Sequence, residues 1–257
     1  MKVSSTRQRI LGNPISRAIL TLWAWLMLGI IVIVWVPLTF IVFACTAPFD
    51  KGRYRAGWMF RRLCVVHTWL NPLWTFRTSG REITDPRRPY VVVANHESFA
   101  DMLLISHLPW EMKWLAKESW FKYPLVGWLM MMAGDIKIIR GNKQSIVSAM
   151  KGCRDRLDKG VSVMVFPEGT RTRDGEMGEF KDGAFRLAIE SGNPLLPMVV
   201  NGSRQAIKAG NWRWNVTHGE VRVLDPIETT GMTKDDVPEL RDRVRKVIAD
   251  ELALMRA

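Results

Sequence analysis

Residues 18–49 contain no charged side chain and are rich in Leu, Ile, Val and Trp, a run long enough to reach across the hydrocarbon of a bilayer. A second apolar, Trp-rich stretch covers residues 56–74. Beyond the turn-rich segments Thr78-Ser79-Gly80 and Asp85-Pro86-Arg87-Arg88-Pro89 the pattern changes. Short strand-like runs at 90–94, 112–116, 135–139, 162–166, 196–201 and 220–224 alternate with helix-like runs at 99–107, 119–133, 143–159, 183–191 and 237–255. This alternation predicts an α/β domain with a central, largely parallel sheet flanked by helices. Functional residues then gather where strands end and loops begin. The run 143–159 places Ile146, Met150, Cys153 and Leu157 on one face and reads as a packing helix. The run 237–255 mixes acids and bases on a helical repeat, and a solvated face explains it.

The apolar run exceeds the 7–15 residues of a signal-peptide core, and no Ala-x-Ala site closes it. It is flanked by Arg7, Arg9 and Arg17 before it and by Lys51, Arg53, Arg55, Arg61 and Arg62 after it. Positive charge on both sides conflicts with a single clean crossing. With Pro37 and Pro48 as breaks and residues 56–74 as a return arm, two arrangements remain open: a helical hairpin embedded from one face, or two crossings. Both return the remaining chain to the cytoplasmic side. The expected organisation is therefore a two-helix membrane segment over residues 1–75 and an α/β domain over residues 76–257.

Charge and composition support a membrane partner. Thirty-seven Lys and Arg against 25 Asp and Glu leave a net charge of +12, which suits anionic headgroups that attract juxtamembrane cations by about 1 kcal/mol each. Nucleic acid is the other common polyanion, but the basic residues cluster beside the apolar stretches and no nucleic-acid module is present. Cys45, Cys64 and Cys153 are widely spaced and odd in number, which argues against a disulfide framework or a zinc site and fits a reducing compartment. Many of the 12 Trp lie in the N-terminal third, where indole rings suit a membrane interface.

Candidate chemistry begins after the first strand of the domain, at Asn95-His96-Glu97-Ser98-Phe99-Ala100-Asp101. Histidine's ordinary pKa of about 6.5 makes it a natural general base near neutral pH. On one continuous helix a spacing of five would hold His96 and Asp101 about 140° apart. If His96 lies on the loop and a helix begins near Ser98, Asp101 falls in its first turn and can face back to the imidazole. The same Ser98 to Asp101 spacing is also a helix capping box. Two further runs end in arginine: Phe166-Pro167-Glu168-Gly169-Thr170-Arg171, and Gly134-Asp135-Ile136-Lys137-Ile138-Ile139-Arg140. A guanidinium fork binds phosphate bidentately, and Glu168 can buttress Arg171 or a neighbouring amide. Together these describe a site for an anionic substrate with an activated hydroxyl. His67, His107 and His218 have no comparable acid in register, and Lys113, Lys117, Lys122 and Lys181 read first as surface lysines, although each could meet a donor's phosphates.

In their order along the chain, Asn95-His96 with Asp101, Gly134 with Arg140, Phe166 to Arg171, and Pro194-Leu195-Leu196-Pro197-Met198-Val199-Val200 resemble the four motifs of the glycerolipid acyltransferase family, in its 1-acyl-sn-glycerol-3-phosphate (lysophosphatidic acid) branch. The resemblance covers residues 80–202. It implies that His96 removes the proton of the sn-2 hydroxyl of a lysophospholipid while Asp101 orients it, and that the alkoxide attacks an acyl thioester to form phosphatidic acid. It implies further that Arg140, Glu168, Gly169, Thr170 and Arg171 hold the acceptor and that Pro197 shapes the donor site. No metal or resident cofactor is expected, with acyl-CoA or acyl-acyl-carrier protein as co-substrate. The implied location is the cytoplasmic (inner) membrane, with the catalytic domain facing the cytoplasm. Ile136 and Ile139 depart from the second motif. Another lyso-lipid, such as a lyso-ornithine lipid, is the alternative acceptor, and a non-catalytic lipid-binding protein is the alternative class.

Overall fold

The protein is described from a computed structural model covering residues 12–172, 175–207 and 211–257. Arg7 and Arg9, two of the expected flanking cations, lie outside the described residues.

Helix α1 (Pro14–Thr46) starts where the Asn13 side chain accepts hydrogen bonds from the amides of Ile15, at 2.8 Å, and Ser16, at 3.4 Å. Its 33 residues extend for about 50 Å at the usual helical rise. Pro37 lies inside it without ending it, and the chain turns instead at Ala47-Pro48-Phe49. Among the described residues α1 is the one helix long and apolar enough to cross a membrane. Ile15, Ile19, Leu22, Leu26, Ile33 and Phe40 are exposed along it.

Helix α2 (Tyr54–Leu70) returns along α1 but is not a second apolar arm. It buries Arg61 and His67, and Arg62 donates to the carbonyls of Ser106 at 2.9 Å and Leu108 at 3.2 Å. Arg61 pairs with Asp135 and lies 3.7 Å from Glu111, whose other carboxylate oxygen meets Lys113 Nζ at 2.9 Å. Lys113 also donates to the carbonyl of Arg53 at 2.8 Å. Lys113 is thus wholly buried rather than a surface lysine. Gly57 is required where α2 meets this cluster, because a Cβ there would collide with Glu111 Oε1 and Lys113 Nζ. Of the cations that looked like membrane flanks, Arg61 and Arg62 are therefore docked into the α/β domain, as burial of a charge demands a partner, whereas Lys51 and Arg55 stay exposed.

The end of the expected second arm is a strand, β1 (Trp74–Gly80), followed by β2 (Val91–Ala94), α3 (Ala100–Ile105), β3 (Met112–Lys117), α4 (Glu118–Phe121) and α5 (Val126–Ala133). Next come β4 (Ile136–Ile138), α6 (Lys143–Asp158), β5 (Ser162–Val165), α7 (Gly183–Ser191), β6 (Leu195–Asn201), β7 (Thr217–Val223) and α8 (Val237–Arg256). β1 escaped the hydrophobic pattern because it is an edge strand whose last four residues are exposed. The expected helix 119–133 divides into α4 and α5 at Pro124 and Leu125, the latter with φ of 63°, since a proline disfavours helix in the residue before it.

The strands form one sheet in the order β1-β7-β6-β2-β5-β3-β4. Every neighbouring pair is parallel except β6 and β7. β2 lies near the centre and is buried on both faces: Val91 and Val93 pack with α6, α7 and α8, while Val92 and Ala94 pack with α3 and Trp110. This double burial is what a continuous Val run in a parallel sheet signifies. The carboxyl ends of β2, β3, β4 and β5 consequently open on the same edge, where His96, Lys117, Arg140 and Phe166 emerge.

Candidate active site

His96 is the second residue beyond β2, and its backbone is fixed before its side chain does anything. Asn95 imitates a strand partner: its Nδ2 donates to the Val200 carbonyl and its Oδ1 accepts from the Val200 amide, both at 2.8 Å. The His96 amide donates to Glu168 Oε1 at 2.7 Å, and the Thr172 amide donates to the His96 carbonyl at 2.9 Å. The imidazole lies flat against the Phe166 ring, with centroids 3.9 Å apart and an interplanar angle of 12°.

Asp101 completes the arrangement from the first turn of α3. Its Oδ2 is 2.7 Å from His96 Nδ1 and accepts from the amides of Glu97 at 2.8 Å and Ser98 at 2.9 Å. Its Oδ1 accepts a short hydrogen bond from the Ser203 hydroxyl. The Ser98 hydroxyl in turn accepts from the Ala100 amide at 3.2 Å. The capping arrangement and the His–Asp pair are thus one structure, because the carboxylate that satisfies the helix-start amides also holds the ring. With Nδ1 donating to this wholly buried carboxylate, the neutral imidazole presents Nε2 as its acceptor.

His96 borders a cleft of about 610 Å³. Lys117, Arg140, Arg171 and Lys181 provide positive charge around it, and Trp114, Trp120, Ile138, Ile146 and Met150 provide an apolar wall. Gly169, with φ of 72°, lets the loop after β5 pass beneath Lys181, whose Nζ would lie 2.8 Å from a Cβ at that position. An imidazole nitrogen, a basic rim and an apolar wall therefore share one space.

The expected site residues separate into two groups. His96, Arg140, Gly169 and Arg171 border the cleft, and Asp101 stands behind His96. Glu168 is not on the lining: it is buried, and its two oxygens hold the amides of His96 and of Gly178, the latter at 2.9 Å. Of the two buttressing roles open to it, the structure selects the amide. Burial raises its carboxyl above the usual range, opposed by those two amides. Thr170 is exposed and off the lining, and Pro197 is buried inside β6 opposite Val93. A proline on β6 contributes to the sheet interior because the strand is covered on both faces, so it does not reach the cleft. Sequence reasoning missed the stacking by Phe166, the contact of Ser203, and the buried Glu97, whose carboxyl burial also raises. Phe166 was legible as the motif's aromatic; Ser203 carried no local signal.

The Acyltransferase family model matches residues 75–201. The chain is 36% identical over 199 residues to the 1-acyl-sn-glycerol-3-phosphate acyltransferase alpha of Homo sapiens, across 76% of this chain and 70% of that protein. The chain belongs to the acyltransferase family. Identity with the alpha enzyme of Mus musculus is 40% over 201 residues, across 76% of this chain and 70% of that protein. With the chloroplastic 1-acyl-sn-glycerol-3-phosphate acyltransferase BAT2 of Brassica napus it is 36% over 167 residues, or 65% of this chain and 47% of that one. The chain spans about half the length of such chloroplastic relatives. The acyltransferase fold is also that of the crystal structure of the 1-acyl-sn-glycerophosphate (LPA) acyltransferase PlsC from Thermotoga maritima, with a TM-score of 0.80 at 24% identity, covering 95% of this chain and 97% of that one.

In this member of the family, Glu168→Gln tests the bridge between the two motif loops. An amide has one acceptor oxygen where the carboxylate uses two, so either the His96 or the Gly178 amide loses its partner. The expected result is a fall in kcat of about tenfold with KM little changed, read in steady-state kinetics at saturating substrate.

Proposed function

We propose that the protein is a membrane-anchored 1-acylglycerol-3-phosphate O-acyltransferase, which moves a fatty acyl group from a thioester donor to the sn-2 hydroxyl of lysophosphatidic acid and yields phosphatidic acid for phospholipid synthesis. The observation that carries this reading is the placement of His96 in a cleft with both a basic rim and an apolar wall. A lysophosphatidate matches that combination: a phosphate for the guanidinium forks, a hydroxyl for the base and a chain for the wall.

In the first step Nε2 of His96 accepts the hydroxyl proton while the oxygen attacks the thioester carbonyl, forming a tetrahedral intermediate. Asp101 stabilises the imidazolium that results. The intermediate then expels the thiolate as the C–S bond breaks, and the imidazolium returns its proton to sulfur. A positioned base supplies about 10²–10⁴-fold, and alignment of the two substrates supplies much of the remainder. The lipid is the nucleophile, so no protein hydroxyl is needed.

Helix α1 is the membrane anchor, supported by its exposed apolar surface, and α2 connects it to the catalytic domain. In this reading the domain faces the cytoplasm at the inner membrane, where its excess of cations meets anionic headgroups and where acyl-CoA or acyl carrier protein brings the donor. The test is a mass-spectrometric assay of detergent-solubilised protein with lysophosphatidic acid and a panel of both donor types. Formation of phosphatidic acid supports the reading. Acylation of lyso-ornithine lipid but not of lysophosphatidic acid overturns the acceptor, and no transfer to any acceptor overturns the activity. Arg171→Ala is expected to raise the acceptor's KM about tenfold or more with a smaller effect on the donor's, as loss of one charged hydrogen-bonding partner implies.

A further inference from the structure

We propose that Ser203 is a positioning residue for the His96–Asp101 pair, and that the ion pair between Glu97 and Arg256 holds it there, so that the end of the last helix is tied to the base. This rests on His96 acting as the base in acyl transfer.

The argument begins with the hydrogen bonds of Asp101. Its carboxylate is fully enclosed, so each oxygen depends on protein donors. Oδ2 has three: the His96 ring and the amides of Glu97 and Ser98. Oδ1 has the Ser203 hydroxyl. Ser203 is itself fully buried, in the single helical turn Ser203–Gln205 that leaves β6. Gly202 aims that turn at the pair: its φ is 85°, and a Cβ there would strike the His218 carbonyl.

Three separate parts of the chain meet around this hydroxyl. Glu97, beside the base, has Oε2 at 3.4 Å from Ser203 Oγ and accepts there from the Arg204 amide at 3.3 Å. Its Oε1 accepts from Arg256 Nη2 at 2.9 Å, and the same guanidinium donates to the Gly175 carbonyl at 3.1 Å. A serine hydroxyl has one hydrogen and can serve one carboxylate at a time. The shorter contact gives it to Asp101, and Arg256 supplies the charge that Glu97 needs. The charged groups around the pair are Glu97 from its own loop, Glu168 through the His96 amide, Arg256 from the end of α8, and Lys117, Arg140, Arg171 and Lys181 on the cleft that His96 borders.

Loss of the hydroxyl would leave Oδ1 buried without a donor. The carboxylate would then pivot, hold the imidazole tautomer less firmly and, with its charge less dispersed, favour the imidazolium. Loss of Arg256 acts in the same electrostatic direction, because Glu97 would place an unneutralised carboxylate next to His96 and Asp101.

The test uses the full chain in detergent. Ser203→Ala is expected to lower kcat about ten- to a hundredfold with both KM values unchanged, and to move the acid limb of the kcat/KM pH profile to higher pH. Ser203→Thr, which keeps the hydroxyl, should restore most of both. Arg256→Gln should move the limb the same way with a smaller loss of kcat. A Ser203→Ala protein whose kcat falls while the limb stays in place has lost only packing, and the proposal is overturned. If Ser203→Ala does not fold, Arg256→Gln decides: a limb that does not move overturns the proposal. If the wild-type protein transfers no acyl group, the functional reading fails separately. Nitrogen-15 NMR titration of the His96 ring, assigned by its loss in His96→Ala, then tests the network without turnover: a midpoint moved to higher pH in either variant supports it, and coincidence with wild type overturns it.

Discussion

Replacement of His96 by alanine is expected to lower kcat by about 10²–10⁴-fold, the contribution of a positioned general base, while the protein stays folded and membrane-associated. The size follows from what surrounds the ring. Nδ1 is committed to Asp101 at 2.7 Å and one face to Phe166 at 3.9 Å, which leaves Nε2 for the hydroxyl. No other histidine can substitute. His67 is buried edge-on against the stacked rings of Trp74 and Trp214, the ring nitrogens of His107 are bonded to Thr68 and to the carbonyls of Leu103 and Leu104, and His218 is exposed on β7, off the cleft lining. KM should change little, because the basic rim and the apolar wall are untouched. Stability should also change little, since the amides that Asp101 caps keep their acceptor. The measurement is single-turnover acyl transfer with a flotation assay for membrane association. Transfer at the wild-type rate would remove His96 from the mechanism.

The second large effect is on stability, at the buried ion cluster under α2. Lys113→Met is expected to destabilise the protein by about 3–5 kcal/mol, the usual consequence of removing one partner of a buried pair. Lys113 and Glu111 are both fully buried, and Lys113 makes the 2.9 Å contact to Glu111 Oε1. Burial raises the Glu111 carboxyl and lowers the Lys113 ammonium, so each relies on the other to stay charged. Without Lys113, Glu111 keeps only the 3.7 Å approach of Arg61, and the Arg53 carbonyl loses its donor. Since α2 docks through this cluster, its loss should loosen α2 from the sheet domain before the sheet melts. Urea unfolding followed by tryptophan fluorescence measures the first effect, and amide exchange over residues 54–70 the second. A Glu111→Gln/Lys113→Met pair should recover part of the loss. Wild-type stability in Lys113→Met would mean that the cluster contributes nothing net.

Much of the α/β domain was legible because its strands are short apolar runs closed by turn residues. Val91 to Ala94 is buried on both faces, so it reads as an unbroken hydrophobic block, and the carboxyl end of such a block is where His96 had to appear. The His96 and Asp101 relation was legible for a local reason as well, since a loop residue and a first-turn residue are placed by a single helix start. What failed lies where solvent or charge overrides the pattern. β1 is an edge strand with a wet face, so it lacks an apolar signature. Pro197 sat in a recognised motif, but a motif does not say which way a strand residue is enclosed.

Lysine and arginine mark the deepest division. A cation in a sequence reads as surface or membrane flank by default, and the composition alone cannot tell Lys113 from Lys117. The fold places the first inside a sealed cluster and the second on the cleft, a difference made by residues from α2, β3 and the turn before β4. Ser203 is the same case among neutral groups, lying 102 positions from the carboxylate it reaches. The sequence by itself determined the family, the pairing of His96 with Asp101, the parallel sheet that presents them and the long apolar helix, because each depends on neighbours within about one turn or one strand. Only the tertiary structure decided which charges are buried, that the arginines of α2 dock into the α/β domain, and which distant hydroxyl and guanidinium meet Asp101 and Glu97, because those contacts join segments that no local pattern relates.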